Sequence, residues 1–284
     1  MSDSVFDPSH VERSVSGLRL RVPRGPHRGR TGDARASSAG SSLELHDFRT
    51  YQPGDDLRQV DWNAVARTGD LVLRVRAEEV APRFELIVDG SASMAVTAQK
   101  AMRTRELSYA STLLARQAGL EVAVSVAGRS AQRITGHDAV TALASTRFDD
   151  RLGFEQAVNQ LPPLRACGVR LVVSDFLFEA QPSTLVDRFA RGAAQLILLQ
   201  VLDADDLEPS FVGGTRLTDS ETGVALDRTL SASDVERYGQ RFQAHVALWQ
   251  SALSRARGTW LQVSAARPLR ELVRERLAPM VEAS

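Results

Sequence analysis

The sequence predicts an α/β protein built on a doubly wound, mostly parallel sheet, and three observations carry that expectation. Phe84-Glu-Leu-Ile-Val88 is a short apolar run of β-forming residues, the mark of a strand buried on both faces. Strand-like runs then alternate with stretches of helical spacing along the rest of the chain, which implies right-handed crossovers between parallel strands. Two of the runs end in aspartate, at Asp89 and at Ser174-Asp175, and ligands in such sheets sit beyond the carboxyl ends of the strands.

Bulk composition narrows the function classes. The 284 residues contain 35 Lys plus Arg and 35 Asp plus Glu, so no global field favours nucleic acid or an acidic membrane surface. A charged fraction of 25% and a hydrophobic fraction of 43% are ordinary for a soluble globular chain. Cys167 is the only cysteine; it cannot form an internal disulfide or a Cys-x-x-Cys zinc site, and a reducing cytoplasm is the expected location. The longest apolar runs, such as Leu196-Ile-Leu-Leu-Gln-Val-Leu202, fall well short of the ~20 residues that span a bilayer. The N-terminus has neither a basic region nor an apolar core of a signal peptide. Membrane insertion is not expected.

Residues 1–42 read as a flexible basic arm. From Arg24 to Ser42 the text is mostly Arg, Gly, Ser and Ala. Its charges are spread and no aromatics interleave for base stacking, so a solvated leader that orders against its own domain fits better than a nucleic-acid contact. Residues 43–80 form a distinct segment. Pro53-Gly54 suits the central positions of a type II turn, and Asp55 or Asp56 can cap a short helix through Val60 and Val65. Glu44, Arg49, Arg58, Asp61 and Arg67 suggest ion pairing around a buried Trp62. A turn, a cap and an aromatic plug explain these residues without a ligand. Leu71, Leu73, Val75 and Ala77 alternate with charged residues, a strand with one wet face.

Residues 81–284 hold the main domain. After the Phe84–Val88 strand, Met102, Leu107, Ala110, Leu113 and Leu114 give helical spacing over 97–118, closed by Gly119. Leu120–Val126 is the next strand and Arg133–Thr135 a short edge. Weak helical text follows over 138–144 and 154–161. Residues 168–175 repeat the buried strand, a helix over 183–194 leads into the strand 195–202, and 215–218 pairs with 224–226 as a hairpin. A long amphipathic helix over 232–257, a strand over 259–263 and a helix over 268–277, with Pro in its first turn, complete the chain.

Chemistry concentrates at Asp89-Gly-Ser-Ala-Ser93. Asp89, Ser91 and Ser93 gather one charged and two neutral oxygens at a strand end, and Asp175 can converge on them from its neighbour. Hard oxygen donors held by a sharp turn suit a small hard cation, above all Mg2+, with Mn2+ and Ca2+ as alternatives. Without a ligand, the same residues would serve as a turn capping the following helix.

This pattern is that of the metal-ion-dependent adhesion site, and the region resembles a von Willebrand factor A domain. The blocks Arg49-x-Tyr51-x-Pro53-Gly54-Asp55-Asp56-x-Arg58-x-Val60-Asp61-Trp62 and Ala66-Arg67-Thr68, with Glu44, Leu202-Asp203 and Asp219-Ser-Glu-Thr-Gly223, resemble domain-of-unknown-function family 58 over roughly residues 25–280. The resemblance implies a von Willebrand A-like domain in a bacterial protein that works with a MoxR-type AAA+ ATPase in chaperone-like or maturation activity. A full adhesion site adds a threonine from another loop. The corresponding stretch, Phe148–Phe154, has none, leaving Thr146, Asp149 and Asp150 as candidate substitutes.

Three functions follow. The leading one is a non-enzymatic, metal-dependent adaptor that grips an acidic residue of a partner, the AAA+ ATPase or another protein. A metal-dependent hydrolase using Asp89, Ser91 and Ser93 is the alternative; it has no histidine nearby, His46 and His137 being nearest in sequence, and no Gly-x-Ser-x-Gly or His-Glu-x-x-His motif. A structural interaction protein without a functional metal is the third. His10, His27, His245 and Cys167 read as structural or surface residues, and Phe242, Val246 and Trp249 as core.

Overall fold

The computed structural model describes residues 6–22, 47–51, 60, 62–75, 83–128, 133–209 and 212–283. The chain divides into two compact units, Met1–Thr31 with Pro82–Ser284, and Gly32–Ala81.

The larger unit begins with α1 (Pro8–Val15), capped by Asp7, whose carboxylate accepts the Ser9 N–H at 2.9 Å. Val11 and Val15, four residues apart, are both fully buried, and Leu20 of β1 (Leu18–Leu20) joins them in the core. Of the flexible arm expected over 1–42, residues 6–22 pack on the domain, as a leader that orders against its own domain would; residues 1–5 and 23–46 lie outside the described residues. The stripe that docks this segment is too narrow to stand out as a helix in the sequence.

In the smaller unit β2 (Asp47–Thr50) pairs antiparallel with β3 (Val72–Val75), Asp47 facing Val75 and Thr50 facing Val72. Between them lies α2 (Trp62–Thr68). Val60 is buried, whereas Trp62 is 60% exposed, so the expected aromatic plug is corrected: the buried residue is the valine before the helix. The Pro53-Gly54 turn and its capping aspartates lie outside the described residues.

The main sheet starts at β4 (Arg83–Asp89), followed by α3 (Ala98–Gln117), β5 (Glu121–Ala127), β6 (Arg133–Thr135), α4 (His137–Ala144) and α5 (Phe154–Gln160). Then come β7 (Cys167–Ser174), α6 (Pro182–Ala190), β8 (Ala193–Leu202), the short α7 (Ala204–Leu207), the hairpin β9 (Gly213–Thr218) and β10 (Ala225–Leu230), α8 (Ala232–Arg255) and β11 (Thr259–Ser264). The C-terminal helix expected over 268–277 divides into α9 (Leu269–Glu271) and a π turn, and β12 (Val281–Ala283) pairs antiparallel with β1.

Strand order in the sheet is β11-β8-β7-β4-β5-β6. All neighbours run parallel except β6 against β5. The chain winds outward from β4 through β5 and β6, then crosses back to build β7, β8 and β11 on the other side. Sheet direction therefore switches between β4 and β7, and a crevice opens beyond their carboxyl ends. Phe84, Leu86, Ile87 and Val88 of β4 are all buried, each side chain contributing about 1.5–3 kcal/mol by leaving water. Trp249, Val246 and Phe242 of α8 face the core, as their spacing implies. Among the described residues no helix is long and apolar enough to cross a membrane.

Two further features lie at or near the amino ends of the strands. Glu85 and Arg170, on adjacent strands β4 and β7, form a buried ion pair at 2.6 Å, and Arg133 donates to the other Glu85 oxygen at 2.7 Å. Arg170 also donates to the carbonyls of Phe189, Arg191 and Arg165, so the buried guanidinium is fully engaged. Cys167 opens β7; it is buried, and desolvation pushes its thiol up to about 11. Replacing Arg170 with Met leaves Glu85 with Arg133 alone and three carbonyls without their donor, and should cost about 3–5 kcal/mol. Urea unfolding checks this as a lower midpoint with unchanged slope.

Candidate functional site

β4 ends at Asp89, and Gly90 makes the turn that follows. A Cβ at residue 90 would lie 2.8 Å from the Ala127 carbonyl oxygen of β5, so only glycine permits this approach. The Gly90 N–H donates to that same carbonyl at 3.0 Å. Asp89 is 1% exposed. One of its oxygens accepts the Ser91 N–H at 2.9 Å and the other accepts the Ser174 hydroxyl at 2.6 Å. The hydroxyls of Ser91 and Ser93 are 3.0 Å apart. Ser174, at the end of β7, thus joins the two strand ends that the sequence places at the switch point.

Asp175 follows and is also buried. Its carbonyl accepts from Gln200 of β8 at 2.7 Å, and Gln200 accepts from Gln262 of β11 at 2.8 Å, so amides on two further strands fix its backbone. Phe176 then adopts φ of 52°, a left-handed conformation unusual for a non-glycine residue. Fixing it there are its N–H to the Ser174 hydroxyl at 3.0 Å and ring contacts with Trp249 and Trp260. The strained turn lets Asp175 leave the strand toward Asp89.

Asp89, Ser91, Ser93 and Asp175 all line one cleft of about 400 Å³. The three candidate substitutes for the missing threonine do not join that lining. Thr146 turns its hydroxyl back to the Ala142 carbonyl at 2.9 Å, and Asp149 is exposed. Asp150 comes nearest: its backbone pairs with the Ser91 turn, Ala92 N–H donating to its carbonyl at 2.8 Å. Its carboxylate caps Leu152 at 2.9 Å, so Asp150 braces the turn through its main chain. Of the segment over 43–62, Glu44, Pro53, Gly54, Asp55, Asp56, Arg58 and Asp61 lie outside the described residues. Arg49 lies in β2, Tyr51 is half-buried with its N–H on the Leu71 carbonyl, and Arg67 is exposed in the last turn of α2.

Electrostatics in the cleft are one-sided. Asp89, Asp175, Glu179, Asp206, Asp219 and Glu221 line it against a single amine, Lys100. Burial, then the charge of Asp175, pushes Asp89 up to about 7, although hydrogen bonds from Ser174 and Ser91 pull the other way. Glu221, hanging from the β9–β10 turn, is raised by partial burial and by Asp219 and Asp175. Among the described residues no three His, Cys, Asp or Glu side chains converge as a metal cluster. The donor set is two carboxylates with hydroxyls, all oxygen. That chemistry fits Mg2+, which binds through one or two carboxylates and keeps much of its water.

Residues 47–247 match the family described as "Protein of unknown function DUF58". The chain belongs to that family. Uncharacterized proteins of Mycobacterium bovis and Mycobacterium tuberculosis are 27% identical to it over 237 residues, 76% of this chain and 73% of theirs. Among solved structures, the conserved hypothetical protein BatB from Bacteroides thetaiotaomicron aligns with 70% of this chain and 98% of its own, at 14% identity and a TM-score of 0.37. An aerotolerance-related membrane protein from Bacteroides fragilis aligns with 70% of this chain and 100% of its own, at 13% identity and a TM-score of 0.38. The fold of this DUF58 chain rests on its own strand order.

Sequence reasoning missed Lys100, Asp206 and the place of Glu221. One signal existed: a lysine in the first turn of α3 opposes the helix dipole, which favours anions there. Asp89 also sets a pH dependence. Its folded pKa lies above its ordinary value of 3.8, so its contribution to stability is fully present below 3.8 and lost as pH rises through about 7. In chelator-treated protein, the melting temperature of the wild type relative to Asp89→Asn should fall across that window and then level off. A difference that does not vary with pH would contradict the raised carboxyl.

Proposed function

We propose that this DUF58 chain is a non-enzymatic protein-binding adaptor whose cleft takes a divalent cation, Mg2+ by donor chemistry, and through it an acidic group of a partner. The observation that carries the reading is the pair of buried carboxylates, Asp89 and Asp175, beside two serine hydroxyls in one cleft, with Asp89 pushed up to about 7 by burial and by the charge of Asp175. Asp89, Ser91, Ser93 and Asp175 would hold the ion. When bound, it supplies the missing charge and an open position for an oxygen ligand. Mn2+ and Ca2+ accept the same donors less selectively. The family resemblance supports a MoxR-type AAA+ ATPase as the partner, and the single cysteine supports a reducing cytoplasm as the place of action.

Hydrolysis is less well supported by the cleft. Among the described residues no histidine lines it, Lys100 is committed to two carboxylates, and both Asp89 oxygens already accept hydrogen bonds. Neither histidine nor Asp89 is therefore available to Ser91 as the base that would make it a nucleophile.

Metal-stripped protein should melt higher when Mg2+ is restored, and Asp89→Ala should abolish the rise. At ~100 times the dissociation constant, an ion that binds only the folded state adds about 2.7 kcal/mol. A rise that persists in Asp89→Ala would place the cation elsewhere.

A further inference from the structure

Lys100 is the third residue of α3, and its backbone N–H is capped by the Thr97 hydroxyl at 3.1 Å. A cation in a helix's first turn faces the positive end of the dipole, and burying an ammonium costs still more. Lys100 nevertheless has a side chain only 2% exposed. Its amine bonds Asp175 at 3.0 Å and Asp206 at 3.2 Å, tying α3 to the ends of β7 and β8. Burial alone would lower its pKa, but the charges and hydrogen bonds of Asp175 and Asp206 outweigh that and hold it above its ordinary value. The remaining Asp175 oxygen accepts the Leu177 N–H at 3.1 Å. Asp206 also accepts the Asp203 N–H at 2.9 Å, and its carbonyl accepts from Tyr238 at 2.8 Å, which fixes that arm of the bridge. Both partners are held independently of the lysine, so its amine is received by a preformed acidic seat.

We propose that the Lys100 ammonium is the resident cation of the cleft, and that a divalent ion at Asp89, Ser91, Ser93 and Asp175 must displace it from Asp175. The inference rests on the cation-site reading above and adds its regulation. One carboxylate cannot serve both cations at close range without bringing their charges together. Divalent affinity is thereby held down by an internal competitor. Occupancy by the ion frees an amine and loosens the tie between α3, Asp175 and Asp206. Coupling of this kind is reciprocal: whatever strengthens the lysine bridge weakens the ion, and the reverse.

Isothermal titration of the intact, metal-stripped chain with Mg2+ tests this in the wild type, Lys100→Met, and Lys100→Met with Asp89→Ala. Lys100→Met should bind Mg2+ roughly tenfold more tightly than wild type, within the usual range of coupling between sites. Adding Asp89→Ala should remove that binding. Equal or weaker affinity in Lys100→Met overturns the inference and leaves the cation site standing. Absence of Mg2+ binding in both wild type and Lys100→Met overturns the cation site itself, and the inference with it. Because Lys100→Met leaves Asp175 and Asp206 uncompensated, the wild type supplies a second readout. With 15N-labelled lysine, the ammonium resonance of Lys100, the one lysine in the sequence, should move as Mg2+ saturates the protein. A resonance unmoved at saturation overturns the displacement.

Discussion

Asp89, 1% exposed, ends a strand that has a hydrogen-bonded neighbour on both sides along nearly its whole length. Every other feature of the carboxyl edge accommodates that buried charge. Gly90 lets the chain turn against β5 without collision, Ser174 supplies a hydroxyl from β7, and Asp150 braces the turn from the next loop. The strain at Phe176 brings a second carboxylate toward the first. A strand less enclosed would leave Asp89 an ordinary surface acid with nothing to organise around it.

The sheet treats buried charge in opposite ways at its two ends. Toward the amino end, Glu85 meets two arginines, and Arg170 spends its remaining donors on three carbonyls. Arg170 there is fully engaged and ties β4 to β7, while Arg133 keeps a buried Nε without a partner among the described residues. Toward the carboxyl end, acids outnumber amines, and burial and the charge of Asp175 push Asp89 up to about 7, which is what motivates the proposed cation site.

Much of this was legible in the chain. The alternation of apolar runs and helical spacing gave the order of elements from 83 to 264, because strands buried on both faces leave a strong mark. Convergence of Asp89 with Asp175 followed from topology: two strand ends on either side of a switch point must be neighbours. Lys100 was not legible in that way. Its partners lie 75 and 106 residues away, and no spacing rule links a helix's first turn to a loop and a distant short helix. Thr146 failed as a substitute because a threonine at a helix end bonds its own helix before it reaches a distant site. Trp62 was misjudged because an aromatic among charges resembles a plug, whereas burial there belongs to Val60.

Cys167 has a practical consequence. Its sulfur sits in the first residue of a central strand, and a thiol held near 11 stays protonated and shielded at neutral pH. A cysteine engineered onto the surface would therefore be the sole site open to a maleimide or spin label, with no need to remove the native one. Placed on the exposed β9–β10 hairpin, such a probe would report directly on what approaches the mouth of the cleft.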